Sequence, residues 1–192
     1  MKNLARAVHR GVLTIDLVVT LAIVVILIIY IFSNSGSLFS KNNTTMELGN
    51  VQDIITQTRT LLKTKGVYDF TTAAQMTGML AQFGGIPNSM TLLGNKSAGT
   101  ATVINTWGGS VTVQPETSAG NNKTGFSVSY TGVPQEACVT LATKLSQTSV
   151  IAETTINTTT TIGPVSAALT GAQCVADTGS AGNNTLKFKS LT

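Results

Sequence analysis

One stretch limits what this chain can fold into more than any other. It is the apolar run "VLTIDLVVTLAIVVILIIYIF", from Val12 to Phe32. As a helix its 21 residues would span roughly 31 Å, enough to cross the hydrocarbon core of a bilayer. Lys2, Arg6 and Arg10 precede the run and no basic residue follows it immediately, which predicts a cytoplasmic N-terminus. A secretory signal would be shorter and followed by an A-x-A-like cleavage site; here "SNSGSLFSK" follows, so the run reads as a retained anchor. One residue in it is out of place. Asp16 would cost roughly 2.5–3.5 kcal/mol at the centre of a bilayer-spanning helix, and such residues usually serve a function.

The rest of the 192 residues suffices for one compact domain. Charged residues make up only 10% of the chain, and Thr, Ser, Asn and Gly fill the surface instead, as on secreted and cell-surface proteins. Lys2, Arg6 and Arg10, all before the apolar run, supply most of the net charge of +4; the remainder of the chain carries 9 basic against 8 acidic side chains. No cluster of Lys and Arg with interleaved aromatics remains, so no nucleic-acid-binding face is expected. Cys138 and Cys174 lie in neither a CxxC nor a metal-ligand spacing. In an extracellular setting the pair reads as one disulfide, with two buried thiols as the alternative.

Helical periodicity returns after "SNSGS" at 33–37, which disfavours a rigid helix locally. Leu48, Val51, Ile55, Thr58 and Leu62 form a stripe that Ile54 and Leu61 widen, while Gln52, Asp53, Gln57 and Arg59 form a solvated side. Lys63 and Lys65 suit a last turn and Gly66 a C-terminal cap. The simplest reading is one long helix, apolar all round in its first half and amphipathic in its second, lying on a sheet. "TTAAQMTGMLAQF" predicts a short helix with a capping box at Thr72 and Gln75, burying Met76, Met79, Leu80 and Phe83. "TATVINTWGGSVTVQ" predicts a hairpin around Trp107, Gly108 and Gly109, and "GFSVSYTG" a further strand. "VPQEACVTLATKL" predicts a helix with Pro134 at its first position and Cys138, Leu141, Ala142 and Leu145 buried. "TSVIAETTINTTTTIG" reads as strand, "VSAALTGAQCV" as a helical turn bearing Cys174, and "NTLKFKSL" as a last strand.

A basic leader ending in Gly11, an apolar Val12 after it and an acid as the fifth residue from there resemble the type IV prepilin signal. The resemblance implies cleavage after Gly11 by a membrane prepilin peptidase, N-methylation of Val12, and a helix that leaves the bilayer to pack in a filament core. It makes Asp16 an assembly residue, one methylene shorter than the family's usual glutamate. A carboxylate there favours the helix dipole and can neutralise the ammonium of a neighbouring subunit. The order of "NTWGG", "VPQEACVTLA" and a late second cysteine is similar to type IVb pilins, the subunits of bundle-forming, toxin-coregulated and conjugative thin pili.

The implied fold is α+β: a long N-terminal helix on an antiparallel sheet, with Cys138 and Cys174 bounding a C-terminal region. The implied division is a leader at 1–11, a hydrophobic transmembrane and filament-core helix at 12–37, and an extracytoplasmic head at 38–192. The implied partners are further copies of the chain in a helical homopolymer, the peptidase, the inner-membrane assembly machinery and an outer-membrane secretin. The implied location is the inner membrane before assembly and an extracellular filament afterwards. The function expected is a major pilin, with a minor pilin or secretion pseudopilin as the alternative.

A membrane-anchored enzyme or binding domain is a weaker reading. The one histidine, His9, lies in the leader, so no Ser-His-Asp or Cys-His arrangement could survive processing. The acids Glu47, Asp53, Asp69, Glu116, Glu136, Glu153 and Asp177 are scattered without calcium-loop spacing, and no GxxxxGK phosphate loop is present. No catalytic residue, metal or cofactor is expected.

Overall fold

Helix α1, His9–Leu61, opens the chain in the computed structural model, which describes residues 9–117, 122–178 and 182–191, without the side chains of 9–17 and 28–40. The chain divides into two compact units, Met1–Lys41 and Asn42–Thr192, and α1 contributes to both. "SNSGS" does not interrupt α1: Ser33 to Ser37 carry helical backbone. One glycine in a helix interior costs only about 1 kcal/mol, too little to end a helix of this length.

In the second unit α1 buries Val51, Ile54, Ile55 and Thr58, and Leu62 just past its end is buried too, while Gln52, Asp53 and Gln57 face solvent. Leu61, expected to widen the apolar stripe, is 37% exposed at the helix end. The expected cap at Gly66 is instead the second corner of a tight turn. Lys65 and Gly66 have φ of 50° and 89°, and Thr64 and Val67 exchange backbone hydrogen bonds of 2.9 and 3.0 Å. Two successive positive φ values are what a two-residue hairpin turn requires.

Helix α2, Ala73–Gln82, starts at Thr72, whose hydroxyl accepts from the Gln75 amide at 3.2 Å. Gln75 returns the contact one residue early, its Oε1 accepting from the amide and hydroxyl of Thr71. Met76 and Leu80 are buried and Met79 is half-buried. Phe83 does not join them: it is the C-cap residue, 52% exposed. The buried face is completed by Thr77, Gly78 and Ala81.

The strands are β1 (Thr91–Leu93), β2 (Thr102–Ile104), β3 (Ser110–Glu116), β4 (Gly125–Val133), β5 (Glu153–Ile156), β6 (Thr159–Ile162) and β7 (Asn184–Ser190). They form one antiparallel sheet in the order β1-β2-β3-β4-β7-β5-β6. The last strand lies in the middle because α3 (Gln135–Ser146), the β5–β6 hairpin and α4 (Ala167–Gln173) are inserted before it. Pro134 is the N-cap of α3, one position earlier than expected.

Alternation along the strands sorts the sheet's two faces. Val111, Val113, Phe126, Val128, Tyr130, Ile156, Leu186 and Phe188 join the α1 stripe, Met76, Leu80, Leu141 and Leu145 in one core. On the opposite face Lys187 pairs with Glu116 at 2.6 Å and Lys189 with Glu153 at 2.9 Å. Burial alone would raise the Glu116 pKa; hydrogen bonds from Lys187, Gln114 and Ser127 outweigh it and hold the carboxyl below the usual glutamate range.

Cys138 on α3 and Cys174 after α4 are joined in a disulfide that closes a 36-residue separation, and both are buried. On the chain-entropy account such a closure stabilises by about 4 kcal/mol. Replacing both cysteines with serine in the detergent-solubilised protein should lower unfolding stability by up to that amount, measured by denaturant titration. An unchanged midpoint would show that the bridge contributes nothing. A depressed carboxyl pKa stabilises the fold above the unfolded value, and that stability is lost as pH falls through the folded one. Stability should therefore drop on acidification below the ordinary glutamate range near 4.3, and Glu116→Gln should make that acid limb shallower.

Candidate functional site

Chemistry-bearing side chains do not converge. Among the described residues no group of three or more His, Cys, Asp or Glu could hold a metal ion. The acids that looked scattered in the sequence each serve the fold where their contacts are described. Glu116 and Glu153 pair with lysines across the sheet. The Asp177 carboxylate accepts from the Gln135 amide at 2.9 Å and so caps α3 from 42 residues away.

Glu47 is fully buried on α1. Its carboxylate accepts from the Thr106 amide at 2.8 Å and from Asn50 Nδ2 at 3.1 Å. The Tyr130 hydroxyl faces it without reaching good hydrogen-bond geometry. Burial, with this carboxylate beside it, pushes the Tyr130 phenol well above the usual tyrosine range. Asn105 completes the corner: its Oδ1 accepts from the Trp107 and Gly109 amides, and its Nδ2 donates to the Thr131 carbonyl at 2.9 Å. A Cβ on Gly109 would lie 1.7 Å from that same Thr131 oxygen, so only glycine fits there. The turn centred on Trp107 is thus fixed to α1 and to β4.

A second polar knot holds the cysteine-bounded region. Asn184 is fully buried; its Nδ2 donates to the carbonyls of Val133 and Val175, and its Oδ1 accepts from the Val175 amide at 2.8 Å. Asn157, at φ 55° in the β5–β6 turn, donates to Asn184 Oδ1 and to the Gln173 carbonyl. Asn184 does not stand out in the sequence, and Asn157 does so only as the head of an N-x-[ST] triplet, a match that arises by chance in so Thr- and Asn-rich a chain. The one available signal was a lone Asn between two β-branched runs, a turn mark.

The remaining surface of note lies in the first unit. Val18, Val19, Leu21, Ile23, Val24, Val25, Ile26 and Leu27 are all exposed, Val18 and Ile26 at 65% each. A helix apolar on every side needs an apolar environment or other helices around it. No helix among the described residues is long and apolar enough to cross a membrane. The expected span of Val12–Phe32 is described in its side chains only from Val18 to Leu27. Gly11, Val12 and Asp16 lie in the opening turns of α1, and their side chains fall outside the described residues.

Comparison with curated protein sequences finds no match. A family described as PilS N terminal matches residues 41–191. Among solved structures, a crystal structure of the type IVb pilin from Salmonella typhi superposes with a TM-score of 0.66 at 37% identity, covering 75% of this chain and 97% of that one. A nuclear magnetic resonance structure of the type IVb pilin PilS from the same organism gives 0.52 at 36% identity, covering 76% and 94%. The α+β unit and its disulfide are therefore those of a structural pilus subunit, and the chain belongs to the PilS family of type IVb pilins.

Proposed function

We propose that this chain is the major subunit of a type IVb pilus, held in the inner membrane by its apolar helix until it is cleaved, methylated and polymerised. The observation that carries the reading is the ring of exposed apolar side chains from Val18 to Leu27, joined in one chain to a unit that matches the pilin family. Prepilin peptidase would cut between Gly11 and Val12, and Val12 would become the N-methylated terminus. Inner-membrane assembly proteins and an outer-membrane secretin would then carry the subunits into an extracellular filament.

Cleavage would also change the electrostatics of Asp16. In the uncut chain Asp16 lies seven residues beyond His9, where the described part of α1 opens, and that first described turn holds no acid. The helix-dipole field fades within about one turn, so it scarcely reaches Asp16 there. Removal of residues 1–11 would bring the positive helix end and a new ammonium to within a turn of the carboxylate. In a filament core of low dielectric, that carboxylate would pair with the terminus of an adjoining subunit.

Mass spectrometry of sheared filaments should find a chain that begins at N-methylated Val12 and contains no histidine, since His9 is the only one. A chain beginning at Met1, or cut beyond Phe32, would refute the processing. Deleting the gene should remove abundant filaments from the cell surface in electron micrographs; filaments that persist would assign the chain a minor role. Asp16→Asn should leave processed subunit in the membrane and cut filament yield a hundredfold or more, because losing one partner of a desolvated ion pair costs about 3–5 kcal/mol. Asp16→Glu should assemble. Equal filament yields from all three chains would reduce Asp16 to a helix-end residue.

A further inference from the structure

Among the described residues the sheet ends in two unpaired edges, β1 and β6, at opposite ends of the strand order. Proteins usually protect such edges with charge or proline. β6, Thr159–Ile162, has neither, and its Ile162 is 82% exposed, more than any other large hydrophobic among the described residues. Ile162 is neither in the hydrophobic core nor packed against it.

Toward the other edge the sheet opens. β2 pairs with β3 only at Val103↔Val111 and Ile104↔Ser110. Farther along β3 the Thr77 hydroxyl of α2 takes the place of a strand, accepting from the Val113 amide at 2.8 Å and donating to its carbonyl at 3.2 Å. Between the parted strands and the first turn of α2 lies a groove of about 630 Å³, lined among others by Ala73, Ala74, Gly99, Ala101, Val103 and Val111. No lining residue carries a charge. Five of the six polar ones, all but Thr112, are turned to local partners: Gln75 to Thr71, Thr77 to Val113, Thr100 to the Asn95 carbonyl, Thr102 to the Leu93 carbonyl and Ser110 to Thr131. The groove therefore offers contact surface to a hydrocarbon side chain and few hydrogen bonds to a polar ligand.

We infer that Ile162 of one subunit seats in the α2–β2–β3 groove of the next. The inference rests on the filament reading above, which supplies the second copy. Within one chain the contact is impossible: β6 and β3 are four strand spacings apart, roughly 19 Å. A knob at one edge and its socket toward the other form a heterologous contact, which propagates into an open helical array instead of closing a dimer. Both surfaces are uncharged, so no ion is stranded when they meet.

Two measurements on intact pili test this. Ile162→Ser alters only an exposed side chain, so processing and the disulfide should be unchanged, and filament yield should fall tenfold or more. Ala74→Cys with Ile162→Cys, treated in assembled filaments with a short bismaleimide, should give a ladder of covalently linked subunits that neither single cysteine gives. Normal yield from Ile162→Ser, or filaments of the double variant without a ladder, would overturn the contact while leaving the pilus reading intact. Loss of assembly from Ala74→Trp together with normal assembly of Ile162→Ser would give the groove another occupant and also overturn it. Absence of filaments from the parent chain would instead refute the pilus reading itself.

Discussion

The second unit depends on one packing event, the burial of the α1 stripe against the inner face of the sheet. Val51, Ile54, Ile55 and Leu62 are all at most 3% exposed, and full burial of such side chains contributes roughly 1.5–3 kcal/mol each. The sheet has no other long element with which to cover the Val128, Tyr130, Leu186 and Phe188 rows, since α3 has only 12 residues and α2 only 10. The same helix is apolar on every side from Val18 to Leu27. One continuous element therefore follows two patterns, a stripe where the partner is its own sheet and a full ring where the partner must come from elsewhere.

Apolar burial does not by itself fix the loops of this unit. The corner around Trp107 is held by Glu47 and Asn105, and the cysteine-bounded region by Asn157, Asn184 and Asp177. Asp177 acts at the surface, whereas Glu47, Asn105, Asn157 and Asn184 meet buried or part-buried backbone groups, and leaving such a group without a partner costs about 1–3 kcal/mol. The disulfide acts on the same region from the other side. It ties α3 to the end of α4, while Asn184 ties the residues just after Cys174 to β4 through the Val133 carbonyl. The long insertion between β4 and β7 is thus anchored at both of its ends, and this lets β7 enter the middle of the sheet instead of its edge.

Much of this was legible in the sequence, for reasons that belong to particular residues. The α1 stripe, the α2 cap at Thr72 and the strands at "SVTVQ" and "GFSVSY" follow from periodicity and capping, which are local. Phe83 was misread because its place in the helical period gives no information about where the helix ends. Gly66 was misread because a glycine after a helix fits a cap and a tight turn equally well, and only the pairing of Thr64 with Val67 separates them. Glu47 and Asn50 continue the buried stripe of α1, but a template built on apolar residues skips them. Their partners, Thr106 and Ser89, are 59 and 39 residues away, and a distant partner leaves no mark on local spacing. The strand order was beyond reach for the same reason.

The low charge of the chain acquires a physical meaning from this arrangement. With only 10% charged residues, the sheet's ion pairs use two lysines of β7 in the interior of the strand order: Lys189 meets Glu153 of the adjoining β5, and Lys187 reaches past β4 to Glu116 of β3. Charge is thus spent within the sheet, and the free edges β1 and β6 carry none. A monomer that had to stay apart from its copies would do the reverse, placing lysine on the edges to block strand-to-strand contact. Uncharged, β-branched edges are a liability for a solitary protein and an asset for a chain that must meet many copies of itself without stranding an ion at each contact. Threonine suits that position well. Its branched carbon favours the strand, and its hydroxyl can pair with one on an adjoining strand, as those of Thr155 and Thr160 do at 2.8 Å across the β5–β6 hairpin.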